Sequence, residues 1–469
     1  MPVSPARQAA YDILRRVDCG RGFAVEGLQG RAVSQLEEAD RRLATEMVMG
    51  VLRWRGALDF EIERLSGKPF KYFDPEIITT LRLGIYQIGF LERVPRYAVV
   101  NEAVELAKQA GKRSATGLVN AVLRKCRAGF AAIDVREQAG IYSESKEYIR
   151  RSFPVWLWER WCQHFGPEVT ASLVGASLLL PPVTLRVAVP GATREEIRRR
   201  LAEESIATRG GPYGRGALVV ESGNVLESST LREGYVQIQD EASQLVGELV
   251  APRPGQRVLD LCAAPGIKAG QLAAALGSGT LVAADVSARR LRTATKLQRP
   301  QTLPTAQVHW MRLDATRALP FSTTFDRVLV DAPCSGTGTV ARNPEIKWRL
   351  QAKDLLRMAQ IQEQILRRGL EVLASGGRLV YSTCSLEPEE NEQVVESVLE
   401  QMPDCRLTSR EELCPECPGL SSLFDARGYF RTRPDLHAMD GFFAAVITRA
   451  TRSQLALAPL GERAARRAG

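Results

Sequence analysis

The chain has 469 residues, of which 45% are hydrophobic and 25% charged; this is a globular composition, long enough for roughly two to four domains. Lysine and arginine (63) outnumber aspartate and glutamate (54), and the net charge of +9 only slightly favours a polyanionic partner, since many soluble proteins are mildly basic. The start lacks a signal-peptide pattern, no apolar stretch reaches membrane-span length, and nine scattered cysteines indicate reduced thiols, so we expect a cytoplasmic protein.

Residues 1–145 show helical periodicity almost throughout. Apolar residues recur at spacings of three and four, strand-like alternation is absent, and an all-helical domain is therefore predicted. The clearest helical segments are 9–14, 43–52, 77–86 and 99–107. Three cationic residues precede the last helix, 117–126: Lys108, Lys112 and Arg113. They form either a solvated helix face or a surface for RNA.

Residues 146–250 differ in composition and predict a small α/β connector for RNA recognition. Strand-like runs at 183–189, 217–220 and 235–238 accompany a helix that begins with the capping box Thr193–Glu196. The segment 153–161 holds three tryptophans next to arginine. Such side chains suit stacking on unpaired RNA bases, although packing of an amphipathic helix into a core is the commoner role of tryptophans in this pattern.

Residues 251–450 alternate strand, loop and helix, which predicts a Rossmann-like α/β fold with a doubly wound, mostly parallel sheet and helices on both faces. The predicted strands are 258–261, 280–285, 308–314, 328–331 and 378–382. A final strand, 442–447, follows the turn Asp440–Gly441 and is expected to be antiparallel at the sheet edge. The tail, 451–469, is expected to be disordered.

The first of these strands runs into a turn of small residues that opens a helix, a place where backbone can approach an anionic ligand. Lys268 in the first helical turn opposes the helix dipole, which suggests that an anionic group, such as a ligand carboxylate or an RNA phosphate, holds it there. Asp285 has the spacing of an acid that binds a ribose diol, and Asp314 and Asp331 end later strands. Because the turn lacks a full G-x-G-x-x-G pattern, an adenosyl cofactor fits better than a nicotinamide.

Two cysteines follow buried strand-like runs, Cys334 after 327–333 and Cys384 after 378–383. Strand ends of a doubly wound sheet face one crevice, so the two thiols can meet over one substrate. Methylation of cytosine at carbon 5 needs a nucleophile at carbon 6, for which a thiolate is suited, and a carboxyl group at ring nitrogen 3, for which Asp331 is near. Either cysteine alone could equally be a small buried hydrophobic residue.

These motifs resemble the bacterial RsmB (Sun/Fmu) family, S-adenosylmethionine-dependent cytosine-5 methyltransferases of small-subunit ribosomal RNA, over nearly the whole chain, and the helical domain resembles NusB. The matching motifs are Cys-Ala-Ala-Pro-Gly at 262–266, Asp-Ala-Pro-Cys-Ser-Gly at 331–336, Asn-Pro-Glu-Ile-Lys-Trp at 343–348 and Tyr-Ser-Thr-Cys-Ser at 381–385, followed by Glu387, Glu390 and Asn391.

The resemblance implies that Cys384 is the nucleophile, that Cys334 assists product release and that Asp331 activates the base. It implies S-adenosylmethionine as cofactor and ribosomal RNA as partner. The residues that would line the cofactor site are Cys262, Ala263, Ala264, Pro265, Gly266, Ile267, Lys268, Asp285, Asp314 and Asp331.

The chain departs from the family pattern at two positions. Ile267 replaces a usual glycine, so it must hold a helical conformation or shift the loop. Ala188 replaces a common asparagine in the connector. The alternatives are the same chemistry on transfer RNA or DNA, with the Ser-Thr-Cys384 motif favouring RNA, and a non-catalytic assembly factor.

A metal site and a stable oligomer are not expected from the sequence. The three histidines are scattered, and one Cys-x-x-Cys pair without further ligands is poor evidence for zinc. The cysteines in question are Cys405, Cys414 and Cys417. We therefore expect no bound metal ion, and separately we expect a monomer.

Overall fold

The computed structural model describes residues 2–127, 151–297 and 306–451. The chain forms two compact units, one of Met1–Leu180 with Thr339–Leu350 and one of Pro181–Gly338 with Gln351–Gly469. Most of the tail predicted to be disordered, 452–469, lies outside the described residues. Within the described ranges, no helix is both long and apolar enough to cross a membrane.

The first unit is helical in its described residues. Its central helix is buried on all sides, as expected for a helix enclosed by others: every residue from 77 to 89 is buried, including Arg82, which is paired with Asp59. The α-helices are α1 (Pro5–Asp18), α2 (Ala24–Leu28), α3 (Arg31–Ser34), α4 (Glu38–Ser66), α5 (Pro75–Phe90), α6 (Arg96–Gln109), α7 (Thr116–Lys125), α8 (Val155–Phe165) and α9 (Pro167–Leu178).

Two of the cations that precede α7 are paired with acids of the same unit. Lys112 Nζ lies 3.1 Å from Asp74 Oδ2, and Lys108 Nζ lies 3.2 Å from Glu105 Oε2. Exposed pairs of this kind contribute little to stability and remain accessible to other anions. They do not distinguish a solvated face from an RNA surface.

The segment Thr339–Leu350 belongs to the helical unit although it is distant in sequence. It contains a short helix, Ile346–Arg349, whose side chains bond to the backbone of α4. Lys347 is fully buried and its Nζ donates to the carbonyl oxygen of Arg53 at 2.9 Å, while Trp348 Nε1 donates to that of Leu52 at 2.7 Å. Two adjacent residues are thus anchored to two adjacent carbonyls of one helix.

The second unit contains a small antiparallel sheet and a large mixed sheet. The small sheet has the order β2–β3–β1–β4 and packs on α10, which begins with the predicted capping box of Thr193 and Glu196. Its elements are β1 (Thr184–Val187), α10 (Arg194–Glu203), β2 (Ala207–Gly210), β3 (Ala217–Ser222), α11 (Ser229–Arg232) and β4 (Val236–Ile238).

The large sheet has the order β10–β12–β9–β8–β5–β6–β7, with β11 paired to β12. Its strands are β5 (Arg257–Asp260), β6 (Thr280–Asp285), β7 (Gln307–Arg312), β8 (Phe325–Asp331), β9 (Leu373–Thr383), β10 (Cys405–Leu407), β11 (Phe430–Arg431) and β12 (Phe443–Arg449). Strands β5 to β9 are parallel, which confirms the predicted mostly parallel, doubly wound sheet.

Both faces of this sheet carry helices because apolar side chains alternate along its strands. Val258 packs into one core with α12 and α13, whereas the next residue, Leu259, packs into the other with α15 and α16. The helices of this part are α12 (Glu241–Val250), α13 (Ile267–Leu276), α14 (Ala288–Leu297), α15 (Ala352–Glu371), α16 (Glu392–Glu400), α17 (Arg410–Glu416) and α18 (Pro434–His437).

The last strand, β12, is antiparallel to β9, with Phe443 opposite Thr383, as predicted. Its predicted position at the sheet edge is wrong, because β10 pairs with its other side, Cys405 opposite Arg449. Strand β10 has only three residues and no alternating pattern long enough to be recognised in the sequence.

The chain direction across the sheet reverses at β5. From β5 the chain moves outward through β6 and β7, and it then returns to β8 on the other side of β5. Ligands of open α/β sheets bind where the strand order reverses, at the carboxyl ends of the strands. Here that point lies at the ends of β5 and β8.

Candidate active site

A cavity of about 300 Å³ opens at this reversal point, within the second unit. Its volume is at the lower end of the range of about 300–1,000 Å³ that is usual for small-molecule sites. The acids and thiols singled out in the sequence line it together: Asp285, Asp314, Asp331, Cys334 and Cys384. Residues at or just after the ends of four strands, β6, β7, β8 and β9, therefore share one site.

The turn from β5 into α13 forms one wall of the cavity, with Cys262 and Ala264 among the lining residues. Gly266 has φ +101°, and a Cβ there would lie 2.8 Å from Ala294 Cβ and 3.1 Å from the Trp310 ring, so only glycine fits. Ile267 begins α13 and is not among the residues with positive φ. The isoleucine therefore holds an ordinary helical conformation without strain.

Lys268 is held by the protein itself. Its Nζ donates to Asp331 Oδ2 at 2.9 Å and lies 5.1 Å from the centroid of the Phe442 ring. Burial lowers the pKa of Lys268, but the charge and hydrogen bond of Asp331, with a contribution from Cys384, outweigh it and leave the pKa raised. The anion next to Lys268 is thus the carboxylate of Asp331, in place of the ligand carboxylate or RNA phosphate expected from the sequence.

Asp285 and Asp314 bond to the turns that follow their strands. Asp285 accepts from the backbone N–H groups of Ala264 at 3.2 Å and Ser287 at 2.8 Å, which ties the first turn to the end of β6. Asp314 accepts from the hydroxyl and the N–H of Thr316, and these bonds lower its pKa. Asp314 therefore has a turn role in addition to lining the cavity.

The two cysteine sulfurs lie 3.2 Å apart, within hydrogen-bond distance for thiols. The hydrogen bond to Cys384 is the largest cause that raises the pKa of Cys334, followed by burial and by the charges of Cys384 and Glu390. Cys334 therefore stays a protonated donor.

Glu390 joins the loops that carry the two cysteines. It has no exposed surface, and its Oε1 accepts from the Ser335 N–H at 2.8 Å and from Gln362 Nε2 at 3.0 Å. Its Oε2 accepts from the hydroxyls of Ser335 and Ser385, the latter at 2.5 Å. Ser335 and Ser385 directly follow the cysteines, so one carboxyl group fixes both loops.

The cysteine loops also bond to each other through the backbone. The Gly338 N–H donates to the Cys384 carbonyl at 2.9 Å, and the Leu386 N–H donates to Thr337 Oγ1 at 2.9 Å. Burial raises the pKa of Glu390 although its hydroxyl and N–H partners lower it. The short distance between the thiols is thus fixed by several bonds outside the cavity.

Three family models match the chain: the NusB family at residues 4–128, a ferredoxin-like domain of RsmF/B-like methyltransferases at 153–226, and the 16S rRNA methyltransferase RsmB/F family at 248–448. Ribosomal RNA small subunit methyltransferase B of Vibrio cholerae is 34% identical over 447 residues, which cover 94% of this chain and 97% of that protein. The chain belongs to the RsmB family. The resemblance seen in the sequence motifs, including that of the helical domain to NusB, is thereby confirmed.

Solved structures share the fold of this RsmB family member. The crystal structure of PH0851 superposes with a TM-score of 0.76 at 24% identity, over 95% of this chain and 99% of that one. The structure of NSun6 from Pyrococcus horikoshii with SFG gives a TM-score of 0.55 at 20% identity, over 64% of this chain and 99% of that one. At these identities the likeness concerns the fold.

Asp260 was not singled out in the sequence. It ends β5 with no exposed surface, and its Oδ2 has no hydrogen-bond partner among the described residues. Burial, and then the charge of Asp331, raise its pKa to about 8. The sequence signal that could have identified Asp260 is the position of an acid near the end of the first predicted strand of the large sheet, directly before the turn that contains Cys262.

The remaining cysteines lie outside the cavity. Cys405 is buried in β10, and Cys417 packs at the edge of a core formed mainly by α12 and α13. In the part of the chain that the structure describes, no cluster of three or more histidine, cysteine, aspartate or glutamate side chains could hold a metal ion.

Proposed function

We propose that this member of the RsmB family methylates carbon 5 of a specific cytidine in small-subunit (16S) ribosomal RNA, with S-adenosylmethionine as methyl donor and through a covalent cysteine–cytosine intermediate. Membership of a small-subunit ribosomal RNA methyltransferase family supports the reaction class and the RNA substrate. The observation that carries the finer proposal is the pair of sulfurs 3.2 Å apart at a cavity that also holds three strand-end acids.

The residues of the cavity fit an adenosyl cofactor. Carboxylates stand at the ends of β6 and β7, where an acid can bind a ribose diol and an adenine edge, and the exposed side chain of Val286 offers an apolar surface beside them. Asp285, Asp314 and the turn Cys262–Lys268 would hold it. When bound, S-adenosylmethionine supplies a methyl group on a sulfonium centre. NSun6, whose structure contains the S-adenosylmethionine analogue SFG, has a related fold.

The protein would activate the target base through Asp331. Its carboxylate is oriented by Lys268 Nζ and by the Ser382 hydroxyl, which donates to Oδ1 at 2.9 Å. A carboxyl group in this place can pass the proton that the attacking thiol releases on to ring nitrogen 3 and hold it there by a hydrogen bond. Addition of a thiolate to carbon 6 then gives a neutral adduct instead of a ring anion, and carbon 5 becomes nucleophilic enough to accept the methyl group.

The two thiols would divide the covalent steps between them. Cys334 keeps its proton because its pKa is raised, and its sulfur lies 3.2 Å from that of Cys384, to which it can donate a hydrogen bond. Cys384 then forms the bond to carbon 6. After methylation a base removes the carbon 5 proton, the bond to carbon 6 breaks, and the Cys334 thiol can donate a hydrogen bond to the departing sulfur.

The first test replaces the proposed nucleophile. Cys384→Ala should reduce transfer of radiolabel from S-adenosylmethionine to unmodified 16S ribosomal RNA by at least about 10³-fold, because no thiolate can add to carbon 6. Digestion of the RNA locates the label, and calorimetry with S-adenosylhomocysteine checks that the cofactor site remains intact. Label on carbon 5 of one cytidine is expected for the unmodified enzyme, and its retention in Cys384→Ala would exclude the proposed nucleophile.

The second test replaces the other cysteine, Cys334, and expects a different result. Cys334→Ala leaves Cys384 free to add to the base but removes the group that assists its departure, so a covalent protein–RNA adduct that survives denaturing electrophoresis should accumulate. If Cys334→Ala turns over like the unmodified enzyme without an adduct, Cys334 has a packing role only.

The choice of substrates separates the alternatives. The same assay is run with transfer RNA and duplex DNA. Label on transfer RNA instead of ribosomal RNA would keep the chemistry and change the substrate. Cofactor binding without label on any of the three would favour a non-catalytic assembly factor.

A further inference from the structure

The helical unit contains a second cavity, of about 440 Å³, that the proposed chemistry does not use. Its walls come from Gly56 on α4, from the start of α8 and from Trp348 in the segment Thr339–Leu350. All of these residues belong to the same compact unit. The volume suits a ligand of small-molecule size.

Aromatic residues and an arginine line the cavity. Trp158 and Trp348 are partly buried lining residues, Phe153 is an almost fully buried one, and Arg151 lies among them. Planar aromatic surfaces next to arginine are the means by which proteins stack unpaired RNA bases.

The three tryptophans of α8 have different roles. Trp161 is a core residue, 1% exposed, whose ring lies 4.9 Å from that of Phe153. Trp158 is only partly buried and faces the cavity, whereas Trp156, also partly buried, is not among the lining residues. The packing interpretation of this segment therefore accounts for Trp161 and leaves Trp158 for a ligand.

The wall formed by Trp348 is rigid. Its Nε1 donates to the Leu52 carbonyl, and the guanidinium carbon of Arg55 lies 5.5 Å from its ring centroid. A Cβ at Gly56 would lie 1.8 Å from the Arg151 carbonyl oxygen and 3.0 Å from Trp348 Cη2. The absence of a side chain at Gly56 thus lets the chain at Arg151 and the indole of Trp348 approach α4 together, which fixes the cavity before any ligand arrives.

The polar groups favour a base over a phosphate. Glu159 is the single acid among the lining residues, and its carboxylate repels an anion but can accept a hydrogen bond from the exocyclic amino group of a cytosine or adenine. The guanidinium carbon of Arg151 lies 4.2 Å from the centroid of the Phe60 ring, and this contact restrains the arginine side chain.

We propose that this cavity binds one unpaired nucleobase of the RNA substrate, stacked on Trp158 and Trp348, at a site separate from the cysteine cavity. The choice of RNA as the source of the base rests on the proposed function. The role is one of binding: it raises the affinity for RNA and takes no part in methyl transfer.

The test measures binding of a fluorescein-labelled single-stranded RNA of mixed sequence and about 12 nucleotides, within the usual range of single-strand site sizes, so that the cavity can take any one of its bases. Trp158→Ala should weaken binding about tenfold, as expected for the loss of one aromatic stacking surface, and Trp158→Phe should retain most of it. Trp156→Ala, on the same helix, is the matched control and should bind like the unmodified protein. Near-ultraviolet circular dichroism of each variant checks the fold.

A second readout distinguishes this inference from the proposed function. In the methylation assay, Trp158→Ala should raise KM for ribosomal RNA about tenfold and leave kcat at saturating RNA unchanged. Equal affinities of Trp158→Ala and the unmodified protein, or equal losses in Trp156→Ala, would overturn the inference while the proposed function stands. Weakened binding in an enzyme that labels no RNA would instead contradict the proposed function alone.

Discussion

Asp260 is a buried acid next to other acids at the end of β5, and its chemistry is decided by that environment. Burial and the negative charge of Asp331 raise its pKa to about 8, although the Cys262 N–H and Lys268 oppose this. Its ordinary pKa is about 3.9. The folded protein therefore holds a proton on Asp260 over a pH range in which the unfolded chain releases it.

This difference predicts a pH dependence of stability. Because the folded pKa is raised, the contribution of Asp260 is fully present below about pH 4 and is lost as the pH rises towards about 8, by up to about 1.4 kcal/mol per pH unit. Asp260→Asn carries no titrating proton, so its stability relative to the unmodified protein should increase from pH 5 to pH 8. Urea unfolding at each pH measures this.

An exposed acid provides the control for this experiment. Glu371 lies on the surface at the end of α15, where it pairs with Arg368, and Glu371→Gln should give a stability curve parallel to that of the unmodified protein. If Asp260→Asn gives a parallel curve as well, Asp260 is ionised in the folded protein and the raised pKa is wrong.

At the scale of elements, the loops after β8 and β9 act as one structure because Glu390 bonds to both. Its carboxylate accepts four hydrogen bonds, from the N–H and hydroxyl of Ser335, the hydroxyl of Ser385 and the amide of Gln362. A glutamine at this position has one acceptor oxygen and turns an NH₂ group towards donors. Either the Ser335 and Ser385 hydroxyls must reverse and accept from the NH₂ group, or the bonds from the Ser335 N–H and Gln362 Nε2 are lost.

Glu390→Gln should therefore lower kcat by at least about tenfold, because a displacement of the reacting group by about 1 Å can cost about 10²-fold in rate. Affinity for S-adenosylhomocysteine should not change, since Glu390 does not line the cavity. Single-turnover kinetics and calorimetry test the two halves of this prediction. Glu389→Gln, in the same short turn, is the control, and equal kcat values for both variants would show that Glu390 does not position the cysteines.

The sequence predicted the elements of the large sheet that have long apolar runs. Strands β5, β6, β8 and β9 are read from such runs because each is buried on both faces. Strands β10 and β11 have three and two residues, too few for any periodicity, and they form only because β12 offers them a partner.

The candidate site shows a similar division. The predicted strand ends indicated which residues could converge. The structure places four of them around one cavity: Asp285, Asp331, Cys334 and Cys384. The contacts between them could not be foreseen: Lys268 meets Asp331 across 63 positions. Such pairings depend on how the strands are ordered in space, which local patterns do not encode.

At the scale of the whole molecule, the two compact units are not two continuous stretches of the chain. Residues Thr339–Leu350 lie between two parts of the sheet-containing unit in sequence but are counted with the helices in space. The first 180 residues alone thus lack a part of their own unit.

This has a practical consequence for dissecting the protein. A fragment that ends at residue 180 keeps the Leu52 and Arg53 carbonyls but loses the indole and ammonium groups that bond to them, and with Trp348 it loses one wall of the 440 Å³ cavity. A fragment that begins at residue 181 carries the fully buried Lys347 without its acceptor. Each half would be an incomplete part, and work with isolated pieces requires that the twelve residues of Thr339–Leu350 be supplied to the helical fragment as a peptide or a fusion.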